Sequence, residues 1–171
     1  MSLGLPPTPR ALTLWRRGVL FLSLVVGLSG LPVVAGLRWL SEGSQPTGFY
    51  WRSSLGEVER GMLVEACVPG FVDVLGRGSC PDGSRPIVKR VAAVAGDVVE
   101  VRAAGVWVDG LRLPGSSRPD VRPPRPFLDG TYVLSPCEVW LHAGHHPRSV
   151  DSRLFGPVPV RWLRAEWRPW P

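Results

Sequence analysis

Apolar positions divide the chain into one long uninterrupted run followed by short alternating stretches. Val19 to Leu37 (VLFLSLVVGLSGLPVVAGL) is 19 residues without a charge. A helix of that length spans roughly 28 Å at about 1.5 Å per residue, close to a bilayer's hydrocarbon core. Trp15 and Trp39 bracket the run as interfacial anchors do, and Pro32 adds a kink of the kind membrane helices tolerate. Beyond it the pattern predicts strands. Pro86–Arg102 (PIVKRVAAVAGDVVEVR) is β-rich and broken at the turn pair Gly96-Asp97. Val106–Val108, Asp109-Gly110 and Leu111–Leu113 read as a hairpin closed by a type I′ turn. Tyr132–Leu134, Val139–His142 and Val158–Leu163 are further strands, while Pro114–Pro126, with five prolines and three arginines, reads as an irregular surface loop. The expected architecture is a short segment 1–18, a transmembrane helix 19–37 and one all-β domain over 38–171.

Composition supports that outline. The chain has 171 residues, 44% of them hydrophobic, with 20 glycines, 19 prolines and eight tryptophans. So many helix breakers exclude long helices throughout, yet the apolar fraction is enough to bury a core. The length excludes a large multidomain enzyme.

Charge placement changes the picture more than its total of +6 does. Residues 1–38 carry Arg10, Arg16, Arg17 and Arg38 and no acid, whereas 39–171 hold 16 basic and 14 acidic residues. The excess surrounds the apolar segment, so a membrane accounts for it better than nucleic acid does. Three arginines precede the segment and one follows, which orients the N-terminus to the cytoplasm and the β domain outward, in the periplasm. A cleaved secretory signal is the competing interpretation. The apolar run exceeds the usual signal length, and either way the main domain is exported.

Export gives the cysteines a context. In an oxidising compartment Cys67 and Cys80, 13 residues apart, are candidates for a disulfide. Cys137 is then left over in the apolar stretch Val133–Leu141 and is expected to be buried. The spacing of the three cysteines argues against zinc, and His142, His145 and His146 read as solvated or packing histidines of a Gly/Pro-containing loop, not as metal ligands. Neither a metal nor a cofactor is expected.

Nineteen of the 20 cationic side chains are Arg; Lys89 is the one lysine. Arg keeps its proton at any working pH, whereas a desolvated Lys becomes a neutral base. Strand alternation puts Ile87, Lys89, Val91 and Ala93 on one face and Arg90 on the other. Three clusters follow one another along the chain: Ser44-Gln-Pro46-Thr-Gly48-Phe-Tyr50, Lys89-Arg90 leading to Gly96-Asp97, and Ser149-Val-Asp151-Ser152-Arg153-Leu-Phe-Gly156-Pro157-Val158. Singly they read as a turn, a solvated strand face and a surface ion pair. Together they offer a serine hydroxyl, an amine among apolar neighbours to take its proton, and polar groups at Ser149 and Ser152 to orient that amine. Backbone N–H groups near Ser44 can serve an oxyanion.

The ordered clusters and the single N-terminal anchor resemble the type I signal peptidase family of serine–lysine proteases. The S-x-P-x-G-x-Y form at Ser44, the run Cys80-Pro-Asp-Gly leading to Pro86-Ile-Val-Lys-Arg-Val-Ala-Ala, and His146-Pro-Arg-Ser-Val-Asp-Ser-Arg-Leu-Phe-Gly-Pro-Val resemble its TraF-type branch, which matures pilin subunits for conjugative DNA transfer. The resemblance covers the chain from the anchor to about Val160. It implies Ser44 as nucleophile and Lys89 as general base, Ser149 as the hydroxyl that bonds the lysine amine, and Asp151 and Arg153 as residues holding the site's geometry. It also implies a signal-peptidase-like β catalytic domain on the outer face of the inner membrane. Cleavage is expected after small residues in an Ala-x-Ala-like pattern, and the acyl-enzyme is resolved by water or, to give a cyclic pilin, by the substrate's own amine. The implied partners are membrane-anchored pilin precursors or other exported preproteins, and inner-membrane lipid; nucleic acid is not among them.

Two positions depart from the family. Many relatives carry Ser or Thr two residues before the nucleophile, where this chain has Glu42. An ionised carboxylate only accepts, so an oxyanion hole here either relies on backbone, chiefly the Ser44 N–H, or is formed differently. Gly144-His145-His146 stands where general signal peptidases have an acidic run. A general leader peptidase, a non-catalytic anchored scaffold and, more remotely, a self-cleaving DNA-binding repressor are the alternatives. The aromatic C-terminus (Trp162, Trp167, Trp170, Pro171) fits either a membrane interface or the packed end of the domain.

Overall fold

The computed structural model describes residues 17, 19–21, 23, 24, 36–41, 45–117, 127–144, 146 and 148–171. They belong to two compact units that divide after Leu37. In the first, Val19, Leu20, Phe21, Ser23 and Leu24 are helical and exposed. Most of the expected span 19–37 lies outside the described residues, and among the described residues no helix is long and apolar enough to cross a membrane. Glu42, Ser44, His145 and the loop from 118 to 126 also lie outside them.

The second unit is β-rich, as its alternating pattern predicts. One sheet has seven strands in the order β1 (Leu37–Leu40), β2 (Gly48–Ser54), β11 (Leu163–Pro169), β3 (Leu63–Ala66), β4 (Ile87–Ala93), β9 (Glu138–His142) and β10 (Val158–Pro159). The other has four: β7 (Leu111–Arg112), β6 (Gly105–Val108), β5 (Val98–Arg102) and β8 (Gly130–Val133). Val72–Leu75 and Ser152–Phe155 form single helical turns, and Val160–Trp162 a turn of 3-10 helix.

Period-2 burial builds β4. Ile87, Lys89, Val91 and Ala93 are buried and Arg90 is exposed. Ile87 and Val91 join Val64, Ala66, Val139, Leu141 and Val158 in the main core. The smaller sheet closes its own core from Val99, Val101, Val106 and Val108 against Leu134 and Trp140. Its hairpin turns at Asp109 (φ 49°) and Gly110 (φ 77°), the two positive φ values that a type I′ turn requires. Arg60 joins this turn to the other one, pairing with both Asp97 and Asp109.

Several expectations are corrected. Cys137 is exposed, not buried, because Ser135-Pro136-Cys137 makes the turn between β8 and β9, with Glu138 N–H donating to Ser135 O at 3.1 Å. Val158–Leu163 is not one strand: the chain leaves β10 at Pro159, turns through the 3-10 segment, and then crosses the sheet as β11. His142 is no loop residue but the buried end of β9. At the C-terminus Trp167 packs into a core with Tyr50, Leu63 and Ala165, and Trp162 lies against the main core, so only Trp170 of the three is exposed. Cys67 and Cys80 are joined by a disulfide with Cα atoms 5.6 Å apart.

Candidate active site

Lys89 sits at the centre of β4 with only 4% of its surface exposed. On β3 it faces Val64, and its strand neighbours on the same face are Ile87 and Val91. Its ammonium donates to the Val88 carbonyl at 3.3 Å. On the other side, β9 pairs Leu141 with Val91 and ends by pairing His142 with Arg90, the residue next to Lys89. An amine in such surroundings loses hydration, which disfavours its charged form.

The Ser149–Gly156 segment wraps past that end of β9. Asp151 caps the helical turn Ser152–Phe155 by accepting from the Arg153 N–H. It is fully buried, and its oxygens also accept from Ala143 N–H at 3.2 Å, Arg153 Nε at 2.8 Å and Arg153 Nη2 at 2.9 Å. Burial pushes the Asp151 carboxyl up, but bonding and charge from His142 and Arg153 outweigh it and hold the group below the usual carboxylate range. Arg153 has the better geometry of the two, since His142 Nδ1 lies 3.5 Å from Asp151 Oδ2. The remaining Arg153 N–H groups reach the carbonyls of Gly115 (3.0 Å), Ser117 (2.8 Å), His146 (3.2 Å) and Ser149 (3.3 Å). One buried guanidinium thus ties the 115–117 and 146–149 segments to Asp151. A surface ion pair, the alternative sequence interpretation, would do none of this.

The two serines of the segment differ. Ser152 Oγ accepts from Leu141 N–H at 2.8 Å and so fixes the helical turn to β9. Ser149 Oγ is buried without a hydrogen-bond partner in the structure, a costly state for a hydroxyl. Gln45, which follows Ser44 in sequence, is buried too, and its Nε2 is likewise unpartnered. Tyr50 OH donates to Pro46 O at 2.8 Å, so within the Ser44–Tyr50 cluster the strand β2 holds the Pro46 turn. Among the described residues no group of three or more His, Cys, Asp or Glu is arranged to hold a metal.

Register carries the Lys89 face across the sheet through Val64 and Glu166 to Ser53. In the next row Arg168 lies opposite Trp51, whose ring stacks on Trp170 at 5.7 Å. Phe49, two residues before Trp51 and on the same side, packs edge-on against Trp39 at 4.9 Å. Trp39, Phe49 and Trp170 are exposed. The sheet edge on the Lys89 face is therefore an aromatic patch.

Sequence reasoning missed two buried polar groups. Glu65 on β3 accepts from Arg52 (2.9 and 3.1 Å) and from Trp167 Nε1 (3.2 Å). Burial raises its carboxyl and Arg52 more than compensates, leaving it below the usual range. His142, read as a packing residue, instead binds Pro114 O through Nε2 at 2.8 Å and faces Asp151 with Nδ1. A histidine ending an otherwise apolar strand five residues after a turn was the available signal.

A buried lysine on β4 and, at the end of the neighbouring β9, a buried Asp–Arg pair flanked by two serines are among the polar groups that this β-rich domain encloses. The signal peptidase family, peptidase S26, matches residues 36–169, and the chain belongs to that family of peptidases. Two relatives are more specific. The chain is 36% identical over 143 residues to the plasmid transfer protein TraF of Escherichia coli, covering 77% of this chain and 80% of that protein. It is 34% identical over 172 residues to the conjugal transfer protein TraF of Agrobacterium tumefaciens, covering 90% and 95%. The chain is thus a TraF-type S26 peptidase. A crystallised signal peptidase I from Enterococcus faecalis aligns with 64% of this chain and 96% of its own, at 20% identity and a TM-score of 0.38.

Proposed function

We propose that this peptidase is a membrane-bound serine endopeptidase that cleaves, or cleaves and cyclises, pilin-like precursors for conjugative transfer, with Ser44 as nucleophile and Lys89 as general base. The observation that carries the reading is the chain's single lysine, buried on the core face of β4, the strand paired with β9, just past whose end Asp151 accepts from Ala143. There its amine is desolvated enough to act as a neutral base. Lys89 takes the Ser44 proton as the hydroxyl attacks the scissile carbonyl. It then passes that proton to the departing amine, leaving an ester on Ser44. Water, or the amino group of the substrate chain, resolves the ester; the second route forms a peptide bond and closes a ring. Among the described residues Ser149 Oγ bonds nothing, Lys89 Nζ included, so its hydroxyl is available to the amine during the reaction and does not hold it beforehand; Arg153 holds the Ser149 carbonyl.

Conjugation as the setting rests on the plasmid and conjugal transfer proteins to which the chain is similar. Attachment to the inner membrane rests on the uncharged run 19–37 and on the exposed Trp39, Phe49 and Trp170 beside Arg38 and Arg168, a mixture suited to an anionic bilayer interface. With the aromatic edge on the face that carries Lys89, a precursor anchored in the same bilayer presents its junction to the site.

The test is cleavage of a membrane-anchored pilin precursor with an Ala-x-Ala-like junction, read by mass spectrometry, for the native chain, Ser44→Ala and Lys89→Arg. The expected result is cutting by the native chain and none by either variant; a product one water lighter than the hydrolysed chain identifies cyclisation. Unimpaired cutting by Lys89→Arg overturns the mechanism. A native chain that cuts no precursor supports an anchored scaffold instead.

A further inference from the structure

We infer that the cleft between the disulfide loop and the start of β11 is a docking site for an acidic peptide segment that carries an apolar side chain. The inference goes beyond the proposed peptidase reaction and uses none of its residues.

The cleft opens where β3 ends and β11 begins. The chain leaves β3 at Ala66 into Cys67, Val68 and Pro69, and enters β11 from the 3-10 turn Val160–Trp162. Cys67 N–H donates to the Trp162 carbonyl at 2.9 Å, so these two segments lie side by side. The Cys67–Cys80 disulfide brings up the third wall, Ser79 to Asp82. The space between them is about 430 Å³, within the range of sites that take organic side groups. Cys67, Pro69, Pro81 and the half-buried Trp162 make the lining apolar, and Asp82, Arg161 and Arg164 bring charge to it.

Those three charges are not equivalent. Asp82 is engaged by its own loop: its oxygens accept from Gly70 N–H (3.2 Å), Ser84 N–H (3.1 Å) and the Ser84 hydroxyl (2.7 Å). Arg164 braces the cleft by donating to Ser79 O at 3.0 Å, and its Nε is 3.9 Å from Glu65, a carboxylate already held by Arg52. Arg161 is exposed, lies over the Trp162 ring at 5.8 Å, and among the described residues pairs with no carboxylate. Arg77 and Arg85, exposed on the loop that carries Pro81 and Asp82, add to the positive sign. An apolar recess under a guanidinium without a counter-charge complements an apolar side chain flanked by carboxylates, and Trp and Arg are the residues that most often dominate such contacts. The disulfide, the Cys67–Trp162 bond and the Arg164–Ser79 bond fix the walls beforehand, so little of the cleft needs ordering on association. Trp162 is recessed, unlike the exposed Trp39 and Trp170, so a side chain entering the cleft reaches it and a flat bilayer surface does not.

The test uses the full chain in detergent micelles with nitrogen-labelled tryptophan, the Trp162 indole being assigned by its loss in Trp162→Phe. The probe is the capped peptide Asp-Glu-Phe-Asp-Glu; one control replaces its Phe by Gly, the other its four acids by their amides. The probe is expected to shift the Trp162 signal and leave that of the fully buried Trp140 in place. Each control should bind about 10-fold more weakly or worse, through loss of apolar burial or of charge. Arg161→Glu should weaken the probe by at least about 10-fold, and Arg161→Gln by less, since it only neutralises the charge. An unmoved Trp162 signal, a control that binds as well as the probe, or native affinity in both Arg161 variants overturns the inference. A Trp162 shift produced by phosphatidylglycerol doped into the micelles, but not by the probe, assigns the cleft to lipid and overturns it too. Self-association by light scattering that Arg161→Glu abolishes assigns it to a second copy, with the same consequence. Failure of the Ser44–Lys89 reading would show in the cleavage assay and leave these titrations unchanged.

Discussion

In the four-stranded sheet, the interior is Val99, Val101, Val106 and Val108 with Leu134 and Trp140, and its strands turn at residues whose backbone suits the turn. Around the first half of β4 and the end of β9, the same domain buries Lys89, His142, Ser149, Asp151 and Arg153. Apolar contacts are non-directional, so the first region tolerates small changes of shape. The second depends on aimed hydrogen bonds, and each buried polar group is costly once its partner goes. Stability resides in either region; positional accuracy resides in the second, which is where the proposed serine–lysine reaction would need it.

Loss of one side chain does the most damage at Arg153. Arg153→Met leaves Asp151 buried without its principal cation and is expected to cost about 3–5 kcal/mol in urea unfolding, the usual penalty for removing one partner of a buried pair. Cleavage should fail together with stability, since the carbonyls of Ser149 and Gly115 lose their donor. The acid response follows from the sign of the Asp151 shift. Its folded-state carboxyl is held below the ordinary value, so its contribution is complete above the unfolded carboxylate value of about 4 and disappears as pH falls through the lower, folded one. In Arg153→Met the Arg153 share of that depression is lost while the His142 share stays, and the acid transition, followed by near-ultraviolet circular dichroism, moves to higher pH. An unchanged transition would mean that Arg153 is not what keeps Asp151 ionised.

A smaller effect belongs to the hairpin. Gly110 has φ 77°, with open space where a Cβ would be, so Gly110→Ala suffers only the left-handed backbone. The expected cost is about 1–2 kcal/mol, with cleavage unchanged. Reduced cleavage at unchanged stability would show that the small sheet does more than pack.

Legibility in the sequence divides along the same line. The hairpin at Asp109-Gly110, the break at Gly96-Asp97 and the buried face of β4 could be read directly, because each is encoded within a few neighbouring residues. β3 and β11 could not. β3 is four residues buried on both faces, so it has no alternation, and its Glu65 looks like a surface residue until Arg52 and Trp167 arrive from β2 and β11. Cys137 was misplaced because hydropathy overrode a Ser-Pro turn. At the site, the Ser149–Arg153 run stood out through its resemblance to signal peptidases, whereas the surroundings of His142 depend on Pro114, which lies 28 residues away, and on a carboxylate brought in by another segment. Residue type announced the chemistry; long-range geometry assigned the partners.

The central claim is that Lys89 is a neutral base at working pH. Because the chain has one lysine, labelling lysine in the full-length protein gives a single side-chain signal whose titration can be followed without assignment. The expected midpoint lies well below the ordinary lysine value of about 10.4 and moves toward that value when Arg153→Met loosens the site. A midpoint at the ordinary value in the native chain would contradict it and return Ser44 to the status of a turn residue.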